Sequence, residues 1–98
     1  MYARVATIAV GSGEPDSTAD IFEQIVPTLR ELAGYRGLVV LDDLGESRFL
    51  VLTLWDTAEA LEATDGIARR IIAAESAERD FHVQDIARYR VGTFDLAK

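Results

Sequence analysis

The run Arg48-Phe49-Leu50-Val51-Leu52-Thr53-Leu54-Trp55, closed by Asp56-Thr57-Ala58-Glu59, constrains the fold more than any other segment. It reads as a β-strand with two apolar faces. Leu50, Leu52 and Leu54 point one way, and Phe49, Val51 and Trp55 the other. Such a strand needs a covering on each side. A 98-residue chain is one domain, residues 1–98, and has material for one covering. The second covering is then another subunit or a ligand.

The rest of the chain fits around that strand. Tyr2 to Val10 is a first strand, with Ala3, Val5, Thr7 and Ala9 on one face and Tyr2, Arg4, Ala6, Ile8 and Val10 on the other. Gly11 to Pro15 is a loop, and Asp16 or Ser17 caps a helix running to about Ala33. Ile21, Phe22, Ile25, Val26, Leu29 and Leu32 form its buried stripe; Pro27 kinks it without dividing it, and Gly34 stops it. Leu38 to Asp43 is a second strand, and Leu44 to Ser47 turns the chain into the third. Asp56 caps a second helical region reaching about Arg79, which Asp65-Gly66 divides into a short and a long helix. Phe81 to Gln84 is a connection, and Asp85 to Phe94 a fourth strand.

The order β-α-β-β-α-β is that of a ferredoxin-like α+β fold: an antiparallel sheet with both helices on one face and strands one and three at its centre. The other face is apolar. Exposing three large side chains there forgoes about 1.5–3 kcal/mol each. A homodimer with two sheets face to face is expected.

Composition excludes several classes. The net charge of −7 opposes phosphate binding, so no nucleic-acid partner is expected. The chain has no cysteine, hence no disulfide or thiolate metal site, and one histidine makes no metal constellation. The N-terminus begins a strand at once, without the pattern of a signal peptide, and no apolar stretch reaches membrane length. A cytoplasmic protein without membrane contact is expected.

Gly34-Tyr35-Arg36-Gly37 before strand two, and Leu54-Trp55-Asp56-Thr57-Ala58-Glu59-Ala60 at the end of strand three, resemble the antibiotic biosynthesis monooxygenase-like domains, which are dimeric α/β barrels. The resemblance spans nearly the whole chain in element order. It implies a homodimer with a cavity between sheet and helices, no cofactor, and oxygenation of a polycyclic or phenolic metabolite. Other members degrade haem or isomerise small molecules. The haem-degrading branch carries an Asn on strand one, a second Trp and a helical His. This chain has no Asn, only Trp55, and His82 beyond the helix. A non-catalytic dimer binding a small hydrophobic or aromatic ligand, or an isomerase or decarboxylase, are the alternatives.

Candidate catalytic residues are Trp55, Tyr89 and Arg88; candidate substrate-binding residues are Arg4, Thr7, His82 and Arg90. Trp55 either stacks on an aromatic ligand or locks the strand–helix junction. Arg4, Arg88 and Arg90 either stabilise a phenolate or enolate or pair with the abundant acids. His82 is either a general base or a solvated loop residue. Tyr89, placed on the helix side with Val91, either donates a hydrogen bond to substrate or packs in the core. The small residues Ala3, Val5, Thr7 and Ala9 are expected beneath the helices, where they would leave room for a ligand.

Overall fold

Alternation of period two and helical periodicity produce seven elements in the computed structural model: β1 (Tyr2–Val10), α1 (Asp16–Arg30), β2 (Tyr35–Asp42), β3 (Arg48–Trp55), α2 (Ala58–Ala63), α3 (Asp65–Arg79) and β4 (Phe81–Arg90). The structure describes residues 1–10, 16–43, 45–79 and 81–97, without the side chains of 16–22, 72 and 75–79. The Gly11–Pro15 loop with Ser12, the capping of α1 and the packing of Ile21, Phe22 and Ile72 fall outside that description, as does Leu44.

The strands form one antiparallel sheet in the order β2-β3-β1-β4. This is the ferredoxin-like α+β arrangement, with β1 and β3 at the centre. Arg4 pairs with Thr53 and Arg88, and Thr53 with Leu38. That row faces the helices. Ala6, Ile8, Phe49, Val51 and Phe81 make the core on the same side, with Leu38, Val40, Ile25 and Ile86 packed against it. The Phe49 and Phe81 rings meet edge to face at 5.3 Å.

The opposite face carries three cross-sheet rows. They are Gly37-Leu54-Ala3-Tyr89, Val39-Leu52-Val5-Ala87 and Leu41-Leu50-Thr7-Asp85. No helix covers them among the described residues, and Val39 and Leu41 are exposed. Ala3, Val5, Thr7 and Ala9 therefore lie on the open face and not beneath the helices. The helix-facing set of β1 is the one containing Arg4.

Several boundaries differ from the sequence expectation: α1 ends at Arg30, before Ala33, β2 begins at Tyr35, before Leu38, and β4 ends at Arg90, before Phe94. β4 begins at Phe81, so Phe81 to Gln84 is strand and not connection. A register shift between Thr7 and Ile8 pairs Ile8 with Val83 and Val10 with Phe81. The bulge carries β4 past a change in alternation phase. Thr57, not Asp56, caps α2: its backbone is extended, and its hydroxyl accepts from Ala60 N at 3.1 Å. Asp56 instead pairs with Arg36 at 3.3 Å. The short and long helices divide at Thr64, one residue before Asp65. Pro27 lies inside a single α1, as expected.

The strand–helix junction is held by backbone. Asp56 N donates to Gly34 O at 2.8 Å, and Gly34 has φ +83°. A Cβ there would stand 2.5 Å from that of Ala60, so glycine is required on two counts. At the β2–β3 hairpin, Arg48 Nε donates to Asp43 Oδ2 at 2.7 Å and Gly45 N to Oδ1 at 2.8 Å. These bonds hold the Asp43 carboxyl below its usual range.

Candidate active site

The candidate site is built where β1 passes beneath the start of α3. Thr64 ends α2, its hydroxyl donating to the carbonyl oxygens of Ala60 (3.2 Å) and Leu61 (3.0 Å). This tight junction starts α3 on Asp65, whose carboxylate in the first turn is favoured by the helix dipole. Asp65 meets two arginines from neighbouring strands. Arg4 Nε donates to its Oδ1 at 3.1 Å and Arg4 Nη2 to the same oxygen at 2.5 Å. Arg88 Nη2 stands 2.5 Å from Oδ2.

Arg4 is the unusual member. Its side chain is 4% exposed, whereas that of Arg88 is 52% exposed. Nη2 also donates to Thr64 Oγ1 at 3.2 Å and to the Leu61 carbonyl. The guanidinium carbon lies 5.8 Å from the Trp55 ring centre, within reach of a cation–π attraction. A buried charge held this way belongs to the built interior of the protein.

Beside Arg4 a cleft opens between the sheet and helices α1 and α3. Ala6, Leu38 and Val51 form its floor, Ile25 and Leu29 one wall, Ala68 and Ile71 the other; Arg4 and Thr53 are its polar members. The centre of a water-sized sphere can range over about 50 Å³ there, and all the empty space, solvent at the mouth included, comes to about 420 Å³. A shallower groove of about 220 Å³ runs outside the sheet edge, past Arg88 and Arg90.

The proposed site residues divide by face. Trp55 is 1% exposed; its indole N–H donates to Thr53 Oγ1 at 3.0 Å, and Tyr35 packs edge-on against it at 5.7 Å. Burial raises the Tyr35 hydroxyl above its ordinary value, against the opposing pull of Arg30. The Trp55 ring is not among the cleft lining, and its position is that of the junction lock. Tyr89 is paired with Ala3 on the open face and is 56% exposed, so its placement on the helix side is corrected. Thr7 lies on that same open face, and His82, opposite Ala9, is exposed there too. Arg90, opposite Tyr2, stands at the outer groove. The structure thus brings Arg4, Arg88 and Trp55 together and leaves Tyr89, Thr7 and His82 across the sheet.

Asp65, which organises this cluster, was marked in the sequence only as a helix breaker. Its place in the first turn of α3 is a local signal. Its meeting with Arg4, 61 positions earlier, is not.

This geometry is that of a ferredoxin-like domain with a helix-side cleft. Residues 1–64 match the model of the antibiotic biosynthesis monooxygenase family, and the chain belongs to that family. No curated protein matches the sequence. Among solved structures it is similar to a Deinococcus radiodurans protein described as an antibiotic biosynthesis monooxygenase, at 19% identity and a TM-score of 0.71, with 100% of this chain and 99% of that one covered. The haem-degrader MhuD of Mycobacterium tuberculosis, solved with two haems bound, matches at 21% identity and 0.67, covering 99% and 100%. SnoaB of Streptomyces nogalater, a cofactor-independent oxygenase, matches at 11% identity and 0.66, covering 95% of each chain. At these identities the likeness shows a shared fold.

The described lining of the cleft carries no side chain that ligates a haem iron. The described lining offers no imidazole, and His82, the chain's only histidine, lies across the sheet. Among the described residues no group of three or more acids and histidines could hold a metal ion, and no helix is long and apolar enough to cross a membrane.

Proposed function

We propose that this chain is a cofactor-independent oxygenase of a small phenolic or enolic metabolite, working as a homodimer, with the helix-side cleft as its substrate site. The observation that carries this reading is the cleft itself: an apolar space between sheet and helices, with the buried Arg4 among the residues that line it. Such a site keeps water away from an electron-rich substrate. Membership of the monooxygenase family supports the reaction class, and the fold shared with SnoaB is compatible with it.

The reaction needs no resident redox group. A methylene carbon conjugated with an ionised phenol or enol passes an electron to dioxygen, and the radical pair joins as a hydroperoxide. Loss of water leaves a carbonyl. One oxygen atom stays in product, the other departs as water, and the substrate supplies the electrons. The protein's part is to bind, orient and keep the anion dry.

Size refines the expected substrate. The enclosed space is about a third of the ~150 Å³ cavity that holds a benzene. One ring enters by using the mouth as well; a polycyclic substrate needs the helices to move outward. The phenolic half of the expectation is therefore preferred.

The test is oxygen uptake in an electrode cell against a panel of hydroxylated single-ring and anthrone-like compounds, with product oxygen traced from labelled dioxygen. Enzyme-dependent uptake with one label in product is expected. Ligand-dependent thermal stabilisation without uptake across the panel would sink the oxygenase and leave a binding protein. Turnover of a substrate under nitrogen would point to the isomerase or decarboxylase.

A further inference from the structure

We infer that the cleft takes its ligand hydrocarbon end first. The buried end is a small alkyl group or a bare ring edge, the oxygen lies at the mouth, and a ligand hydroxylated at both ends is rejected. The inference rests on the reading that the helix-side cleft is the substrate site, and it narrows that substrate to compounds with one apolar end.

Two of the lining residues are polar, Arg4 and Thr53, and both are engaged elsewhere. Arg4 donates to Asp65, to Thr64 Oγ1 and to the Leu61 carbonyl, none of which lines the cleft. Thr53 Oγ1 accepts the Trp55 indole N–H at 3.0 Å. What these two side chains present to the space is almost wholly carbon. The remaining lining is aliphatic, from Ala6 and Val51 on the sheet to Ile25 on α1 and Ile71 on α3. A water molecule needs about two to four polar partners to be held in a cavity, and these walls offer hardly any surface to supply them. The inner part of the cleft is therefore dry. A ligand hydroxyl carried into it would give up its hydrogen bonds to water and gain none in return.

Size limits how much of the ligand is buried. The enclosed part is about 50 Å³, against about 150 Å³ for a dry cavity that holds benzene. A methyl or ethyl group, or one edge of a ring, fits there, and the rest of the molecule lies in the mouth. Orientation follows from the two facts together. The end without oxygen goes in, because only that end loses nothing by leaving water. In the proposed reaction the carbon to be oxygenated is then the inner atom, and the oxygen conjugated with it is the outer one.

The experiment is titration calorimetry, under nitrogen and at mildly acidic pH, with 4-methylphenol, hydroquinone and toluene, all neutral there. The first two differ in one group of nearly equal size, a methyl against a hydroxyl. 4-Methylphenol is expected to bind about ten- to a hundredfold more tightly than hydroquinone. Toluene should bind about as tightly as 4-methylphenol, because the hydroxyl that separates them stays at the mouth. Equal binding of hydroquinone and 4-methylphenol would reveal a polar partner inside the cleft and overturn the inference. Toluene bound about tenfold or more tightly than 4-methylphenol would put the oxygen inside and overturn it too, as would failure of all three to bind. Ala68→Leu fills the cleft from α3 with a good helix former and should abolish 4-methylphenol binding; undiminished binding would place the ligand elsewhere and sink the idea. If that variant does not fold, Ile71→Phe fills the cleft from the same wall, and the ligand comparison on the unmodified protein stands regardless. The methyl-over-hydroxyl preference without oxygen uptake from any compound would defeat the oxygenase reading and leave this one intact; oxygen uptake with hydroquinone bound as tightly as 4-methylphenol would do the reverse.

Discussion

Trp55 shows how one residue can be read correctly for position and differently for role. Its ring is buried against Tyr35 and Arg4, with the indole N–H satisfied by Thr53. Truncating so large a buried side chain leaves a void that its surroundings fill only in part. Trp55→Ala should cost about 3–5 kcal/mol of unfolding free energy, measured by urea denaturation. Loss below about 1 kcal/mol would show that the ring is not part of the core. Tyr89 and the small β1 residues Ala3, Val5, Thr7 and Ala9 share one misplacement, on the wrong face of the sheet. Alternation sorts the residues of a strand into two sets but does not say which set meets the helices. The set Arg4, Ala6, Ile8 and its partner set Ile86, Arg88, Arg90 carry three arginines, and nothing local marks them as the set that meets the helices. Asp65 reverses the assignment by giving two of those arginines a partner under the helices. Polar residues inside are informative only when their partner is known, and that partner is remote in sequence.

At the scale of elements, the strands and helices were legible wherever a period ran unbroken. β1 and β3 run unbroken over nine and eight residues, and α1 continues through Pro27. β4 was placed four residues too late at both ends, and its bulge shifts the phase: Phe81 and Val83 face the helices before it, Ile86 and Arg88 after it. The Gly34 turn is a sharper case, where local conformation and tertiary packing demand the same residue. Gly34→Ala meets a left-handed backbone, worth about 1–2 kcal/mol, and a contact with Ala60 that must be relieved. In thermal denaturation the double variant Gly34→Ala/Ala60→Gly should recover the steric part and leave the backbone part. Full recovery would show that φ at this position costs nothing; no recovery would show that the contact does not matter.

For the molecule as a whole, the unresolved question raised by the two-faced strand becomes one of assembly. Leu52 stands at the middle of the open face, between Val39 and Val5. If that face is the seam between two copies, Leu52→Glu places a charge at the centre of it, and burying an unpaired charge there is costly. Light scattering at low micromolar concentration should find a dimer for the unmodified chain and a monomer for Leu52→Glu, with unchanged far-ultraviolet circular dichroism. A monomer for the unmodified chain would remove the proposed assembly.

The sheet order also dictates when this protein can come into being. β1 is made first, yet its neighbours are β3 and β4, so the middle of the sheet cannot zip until β3 arrives, and β1 keeps one edge bare until the last strand. The Arg4–Asp65 clasp spans 61 positions and waits nearly as long. Local hairpin formation between β2 and β3 can start on the ribosome; completion of the domain cannot. Non-local pairing of this kind slows folding and leaves apolar strand edges uncovered during synthesis. A nascent chain halted before Phe81 would carry β1 with one edge bare, a ready template for strand exchange between neighbouring polypeptides.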